Sequence, residues 1–241
     1  MFGSEEIDLR RALLLCCALL LFTGWKAPDA GDKDVVGAEP PNIKRALPSA
    51  DVVIDAGHGG IDGGTYWRDI KEKDINLAIA RKLYLLLRSK GIRTILNRTG
   101  DYALSDDNRW HATRSRHRRD LSQRKSLANE IDAPLFVSIH VNWSTRGRAR
   151  GPVTIHQSEG RSALLAGFIQ NSLNQQQGRH RLPKPTSKLY LLKKTEVPSV
   201  LVETAFLSDP QDRAMLTSSV GQTRIASAIA SGIIAYLCFA P

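Results

Sequence analysis

Short apolar runs alternate with amphipathic stretches along this chain. Val52-Val53-Ile54 lies between Asp51 and Asp55 without a polar position inside it, the pattern of a strand buried on both faces. Val200-Leu201-Val202 repeats that pattern, Ile92 to Asn97 and Pro134 to His140 read as further strands, and Val153-Thr154-Ile155 adds a strand-like run. Between them the period changes. Ile75, Ile79, Leu83 and Leu86 recur at helical spacing, with Asp74 as N-cap and Gly91 as the stop. Helices are predicted from Leu121 to Glu130 and from Arg161 to Leu173, the second with Leu164, Leu165, Phe168, Ile169 and Leu173 on one face. A last helix follows Ser219, with Ile225, Ile229, Ile233 and Tyr236 aligned. Strands alternating with such helices predict an α/β fold: a single three-layer α/β/α domain with a mainly parallel central sheet.

At 241 residues the chain can bury one sizeable core but not two ordinary domains. Its first part departs from the pattern. Arg10-Arg11 precede an unbroken apolar run from Ala12 to Phe22, short for a membrane span and suited to a signal-peptide core. Residues 1–26 are therefore read as an export signal, cleaved or retained as a membrane anchor. Residues 27–49 carry Pro28, Pro40, Pro41 and Pro48 with little periodicity and read as a linker, leaving 50–241 as the folded domain. Cys16 and Cys17 sit in the apolar run and Cys238 is nearly terminal, so a processed chain has no disulfide framework and no thiolate metal cluster. The formal charge of +10 calls for a polyanionic environment. Asp101 to Arg119 is polar and basic, and reads as a long surface loop contributing to substrate contact. The arginines lack aromatic interleaving, which argues against nucleic acid. For an exported protein the polyanion is cell wall or membrane, the membrane met only through an N-terminal anchor.

Candidate chemistry gathers at strand exits. Gly57, Gly59 and Gly60 surround His58 just past the first strand, His140 ends the Leu135-Phe136-Val137 strand, and Glu203 ends Val200-Leu201-Val202. Glu72 stands just before a helix whose start must lie at the same edge. In an open α/β sheet that edge faces the ligand crevice. Two imidazoles and one carboxylate form a catalytic zinc set with a position left for water, and a second carboxylate is then needed to carry the proton. Position alone leaves open whether Glu72 or Glu203 is the ligand. Asp55 and Asp62 are further candidates, although Asp at a strand end or in a glycine turn is usually structural. His111, His117 and His180 lie in basic loops and read as solvated or near substrate; His156 reads as structural.

At these residues the chain resembles a known family. Val52 to Gly60, Glu72-Lys73-Asp74-Ile75-Asn76-Leu77, Val137-Ser138-Ile139-His140-Val141-Asn142 and Val202-Glu203-Thr204-Ala205-Phe206-Leu207-Ser208 look like the four signatures of the zinc-dependent N-acetylmuramoyl-L-alanine amidases. The resemblance runs from about residue 50 to the end. It implies His58, Glu72 and His140 as zinc ligands, Glu203 as the catalytic carboxylate, and cleavage of the amide between the muramic acid lactyl group and L-alanine in peptidoglycan. Ala56, where many relatives have proline, and Thr204-Ala205, where a glycine-bearing pair is common, depart from the family pattern.

Within the family the chain looks most like the sporulation-type amidases that prepare spore-cortex peptidoglycan. Peptidoglycan is the expected partner, and the sequence leaves open whether an activator protein is needed as a second one. The strands and helix expected between His140 and Glu203 leave no room for the inhibitory helix of the cell-separation members. Two alternatives stand beside the amidase: another metal-dependent wall hydrolase (a deacetylase or endopeptidase), and a non-catalytic wall-binding module.

Overall fold

The computed structural model describes residues 49–106, 113–145 and 149–239. The N-terminal apolar run, nearly all of the linker and His111 lie outside them. A six-stranded sheet runs through the domain. It comprises β1 (Val52–Ala56), β4 (Thr94–Leu96), β5 (Phe136–Asn142), β6 (Val153–Gln157), β7 (Lys184–Thr186) and β8 (Ser199–Phe206), in the order β4-β1-β5-β8-β6-β7. All neighbouring pairs are parallel except β6 with β8, so the mainly parallel expectation holds with one reversal. A small antiparallel hairpin, β2 (Tyr66–Trp67) with β3 (Ile70–Lys71), stands apart from it.

Helices cover both faces. On one, α1 (Glu72–Ser89), α3 (Gly160–Gln177) and α6 (Ser219–Phe239) pack over the main core. That core takes Ile75, Ile79, Leu83 and Leu87 from α1, Leu165, Ile169 and Leu173 from α3, and Ile225, Ile229, Ile233 and Tyr236 from α6. Each such aliphatic side chain contributes ~1.5–3 kcal/mol when taken out of water. On the other face, α2 (Arg116–Glu130) and α4 (Tyr190–Lys194) close a smaller cluster around Val53, Ala128, Phe136 and Leu191. A short α5 (Pro210–Thr217) follows β8, capped by the Asp209 side chain. α6 is long and apolar enough to cross a membrane, but its apolar face is spent on the core.

Several sequence expectations are corrected. The basic stretch is not loop to Arg119: Leu104–Asp106 forms a 3₁₀ turn, and α2 starts at Arg116 because the Ser115 side chain accepts from the Arg118 N–H. Asp74 is not the N-cap of α1. Lys71 occupies that position in extended conformation, and the hairpin delivers the chain straight into Glu72. Leu164 points outward from α3, the buried face being that of Leu165 and Ile169. β7 has no signature in the sequence, since Lys184-Pro185-Thr186 has a proline and no apolar run, features an edge strand tolerates. β5 and β8 also run past His140 and Glu203. Both residues are therefore held inside the ladder rather than beyond its end.

Candidate active site

The exit of β1 forces a strained turn. His58 has φ 61°, in the left-handed region that costs a non-glycine residue ~1–2 kcal/mol. The surroundings over-determine it. Arg124, from α2, donates through Nη2 to the His58 carbonyl at 2.7 Å and through Nη1 to the Ala56 carbonyl at 2.9 Å. Arg98 donates to the carbonyls of Ala56 (2.9 Å) and Gly57 (3.1 Å), and Lys73 Nζ to that of Gly60 (2.6 Å). The loop is thus gripped by its carbonyls. Gly57 is required by close approach, because a Cβ there would run into the His140 imidazole. At Gly64, φ is 65° and a Cβ would sit 2.5 Å from Glu72 Oε2.

Two buried arginines need a counter-charge, and Asp55 provides it. Its Oδ1 accepts from Arg124 Nη1 and Asn97 Nδ2, and its Oδ2 from Ser138 Oγ, each at 2.5 Å. Burial alone would raise the Asp55 pKa, but the Arg124 charge and the Ser138 hydroxyl outweigh it and hold the carboxyl below its ordinary range. Asp120 completes the arrangement at 2.6 Å from Arg124 Nε. Asp55 thus has the structural role expected for a strand-end Asp.

Above this base three side chains converge. Glu72 Oε1 lies 3.0 Å from His140 Nδ1 and 3.3 Å from His58 Nε2. The two imidazoles meet edge to face, their centroids 4.9 Å apart. One ligand atom from each of His58, Glu72 and His140 lies within 4.8 Å of the others. Tetrahedral zinc with bonds of ~2.0–2.1 Å would set its donors roughly 3.3 Å apart, so these residues fit such an ion. Glu72 is oriented by the backbone N–H groups of Thr65 (2.8 Å, to Oε2) and Val141 (3.0 Å, to Oε1). Its burial would raise its pKa, yet hydrogen bonds from His140 and His58 dominate and lower it well below the carboxylate range.

Asp62 does more than shape the turn. Its Oδ2 is 2.8 Å from His58 Nδ1, which leaves Nε2 aimed at the cluster centre, the carboxylate–histidine pairing that orients metal-binding imidazoles. The His58 bond is the main reason the Asp62 pKa falls to about 2. Burial opposes a charge on His58, but Asp62 and Glu72 together raise its pKa to about 10. This corner of the molecule attracts a cation.

Glu203 occupies the neighbouring register position. It pairs with His140 across β5–β8 and with Val153 on its other side. Its Oε2 is buried without a hydrogen-bond partner among the described residues. Burial raises its pKa to about 7, with the nearby Glu72 charge adding to the rise and the two histidines opposing it. Thr204, where the chain departs from the family pattern, donates its hydroxyl to the His140 carbonyl at 2.9 Å and ties the two strands beside the bulge. His156 is buried in β6 with Nδ1 against the Gln157 carbonyl, away from the cluster. His117 lies on α2, near enough to Asp62 to lower its pKa further.

Comparison with known proteins identifies the family. Residues 52–235 match the family model of N-acetylmuramoyl-L-alanine amidase. The chain is 30% identical over 187 residues to the germination-specific N-acetylmuramoyl-L-alanine amidase of Bacillus subtilis (strain 168), covering 77% of this chain and 78% of that one. It is also 30% identical to the N-acetylmuramoyl-L-alanine amidase AmiA of Escherichia coli (strain K12), over 94% of this chain and 91% of the other. Among solved structures, the CwlD amidase from Clostridioides difficile in complex with the GerS lipoprotein superposes with a TM-score of 0.74 at 37% identity, covering 79% of this chain and all of that one. The chain belongs to the N-acetylmuramoyl-L-alanine amidase family.

Proposed function

We propose that this amidase works with one Zn²⁺ held by His58, Glu72 and His140, and that Glu203 is its catalytic carboxylate. The observation that carries the reading is the convergence of two imidazole nitrogens and one carboxylate oxygen, with Glu203 next to His140 and its buried Oε2 without a hydrogen-bond partner among the described residues. Bound there, Zn²⁺ would polarise the scissile carbonyl and acidify a water. The chain supplies the rest. Asp62 fixes the His58 tautomer and the Thr65 and Val141 amides fix the Glu72 carboxylate. Glu203 Oε2, without a hydrogen-bond partner among the described residues, takes a proton from the attacking water and returns it to the alanine nitrogen as the lactyl–alanine amide opens.

The proposal extends to the chain's setting. Residues 1–26 direct export, residues 27–49 link, and residues 50–241 act on peptidoglycan outside the cytoplasm. The likeness to a germination-specific amidase and to CwlD supports a role in spore-cortex maturation, and the GerS lipoprotein bound to CwlD supports a protein activator for this chain as well. Mass spectrometry of digested peptidoglycan tests the reaction. Stem peptides with a free N-terminal alanine are expected. Loss of acetyl groups would make the protein a deacetylase, cuts within the stem an endopeptidase, and intact muropeptides with saturable wall binding a binding module. The cortex role is tested by deleting the gene in its host: cortex lacking muramic lactam is expected, and unchanged lactam content would refute it.

A further inference from the structure

An aromatic cleft opens beside the site and the reaction described so far makes no use of it. Thr65, Tyr66, Trp67, Arg68 and Trp143 line an open hollow of about 540 Å³, within the ~300–1,000 Å³ range of small-ligand sites. Trp67 and Trp143 form a tilted pair with centroids 6.2 Å apart. Arg213 stacks on Trp67 at 4.2 Å and is itself fixed by donating to the Leu207 carbonyl at 2.8 Å. Trp67 is therefore the supported base. Tyr66, 68% exposed, and Trp143, 38% exposed, offer their surfaces to solvent.

The cleft is continuous with the catalytic centre. Thr65 donates its N–H to Glu72 Oε2, and the Glu72 N–H returns a bond to the Thr65 carbonyl, each at 2.8 Å. Trp143 follows β5 three residues after His140, and its segment is pinned to the β8 exit by Leu207 N–H to Asn142 carbonyl (2.9 Å) and Ser144 N–H to Ser208 Oγ (3.1 Å). Arg68, in the hairpin turn, has φ 54°, an arrangement only the folded hairpin imposes.

From this geometry we infer that the Tyr66–Trp67–Trp143 cleft is the subsite for the pyranose rings of the glycan strand. The inference rests on the amidase reading, which places a sugar on one side of the scissile amide and an acidic peptide on the other. The two flanks of the site differ in the matching way. Trp67 packs toward the core face covered by α1, while the opposite flank is the start of α2 with exposed Arg114, Arg116 and Arg118. Flat indole and phenol faces suit the apolar C–H face of a sugar ring, and the Arg68 guanidinium in the lining can donate to its hydroxyl and acetamido oxygens. An acidic stem suits the α2 flank instead.

Full-chain protein titrated with the peptide-free N-acetylglucosamine tetramer tests this, observed through the assigned indole N–H signals of Trp67 and Trp143. The tetramer should shift both signals, and Trp143→Ala and Tyr66→Ala should each weaken it roughly fivefold to tenfold. Both variants should raise KM on glycan-bearing muropeptides by a similar factor with kcat nearly unchanged, and Trp143→Phe should recover most of the loss. Tyr66 is exposed enough that its replacement leaves folding intact. A tetramer that leaves the indoles undisturbed, or a sugar-free stem tripeptide that shifts them in its place, would overturn the assignment while cleavage by the wild type kept the amidase reading. Indole shifts without cleavage of any muramoyl peptide would leave the sugar site standing and remove the amidase reading.

Discussion

His140 and Glu203 stand directly opposite each other on adjacent parallel strands, in register across β5 and β8. One imidazole turns Nδ1 toward Glu72, while the neighbouring carboxylate keeps a buried oxygen without a partner among the described residues. A buried, unsatisfied carboxylate costs on the order of 1–3 kcal/mol or more. A fold retains such a group where chemistry uses it.

Glu203→Gln should therefore cut kcat by about 10²–10⁴-fold, the usual contribution of a positioned acid–base group, with no change in bound zinc. Turnover against muropeptides and metal analysis of the same sample check this. Activity near the wild-type level would remove Glu203 from its role.

The same carboxylate has a stability signature in the metal-free protein. Burial raises its pKa from the ordinary 4.5 to about 7, so the folded state holds the proton more tightly than the unfolded one. Its contribution is then fully present below pH 4.5 and is lost as pH rises through 7, on the order of 3 kcal/mol in all. Glu203→Gln carries no such charge. In chelator, the variant should gain on the wild type from pH 5 to pH 8 in denaturant midpoints; parallel profiles would contradict the raised value. A bound cation would lower that pKa.

Asp62→Ala leaves the His58 imidazole without its orienting partner. Zinc affinity should weaken about 10–100-fold while the thermal transition hardly moves, since the Asp62 side chain is 43% exposed. Competition with a chelating dye measures the first, and calorimetry the second. Unaltered affinity would show that the 2.8 Å bond does not position the ring.

Asp55→Ala should act in the opposite manner. It leaves the buried guanidinium of Arg124 with Asp120 as its one remaining carboxylate among the described residues and should cost about 3 kcal/mol of folding stability, the low end for a broken buried pair, read from urea midpoints. A loss under about 1 kcal/mol would mean that Arg124 does not depend on Asp55.

These residues also mark what the sequence could and could not reveal. His58, Glu72, His140 and Glu203 were legible because each sits where an apolar run or a helix begins or ends, and strand ends gather at one edge of a parallel sheet. Arg98 and Arg124 were not. A buried arginine looks like a surface arginine until its counter-ion is found, and Asp55 lies 69 positions from Arg124. The Asp62–His58 bond was hidden for another reason: an aspartate among glycines reads as a turn former, and only a left-handed φ at His58 brings the carboxylate under Nδ1. The β2–β3 hairpin has two-residue strands, too short for any periodicity, and yet it sets both Glu72 and the Trp67 surface.

The most direct measurement is the digestion of purified peptidoglycan by the protein before chelation, after chelation and after zinc is restored, followed by mass spectrometry. Stem peptides with free N-terminal alanine should appear, vanish and reappear, with one zinc per chain in the active samples. Undiminished cleavage after complete metal removal would contradict the assignment of His58, Glu72 and His140 as zinc ligands.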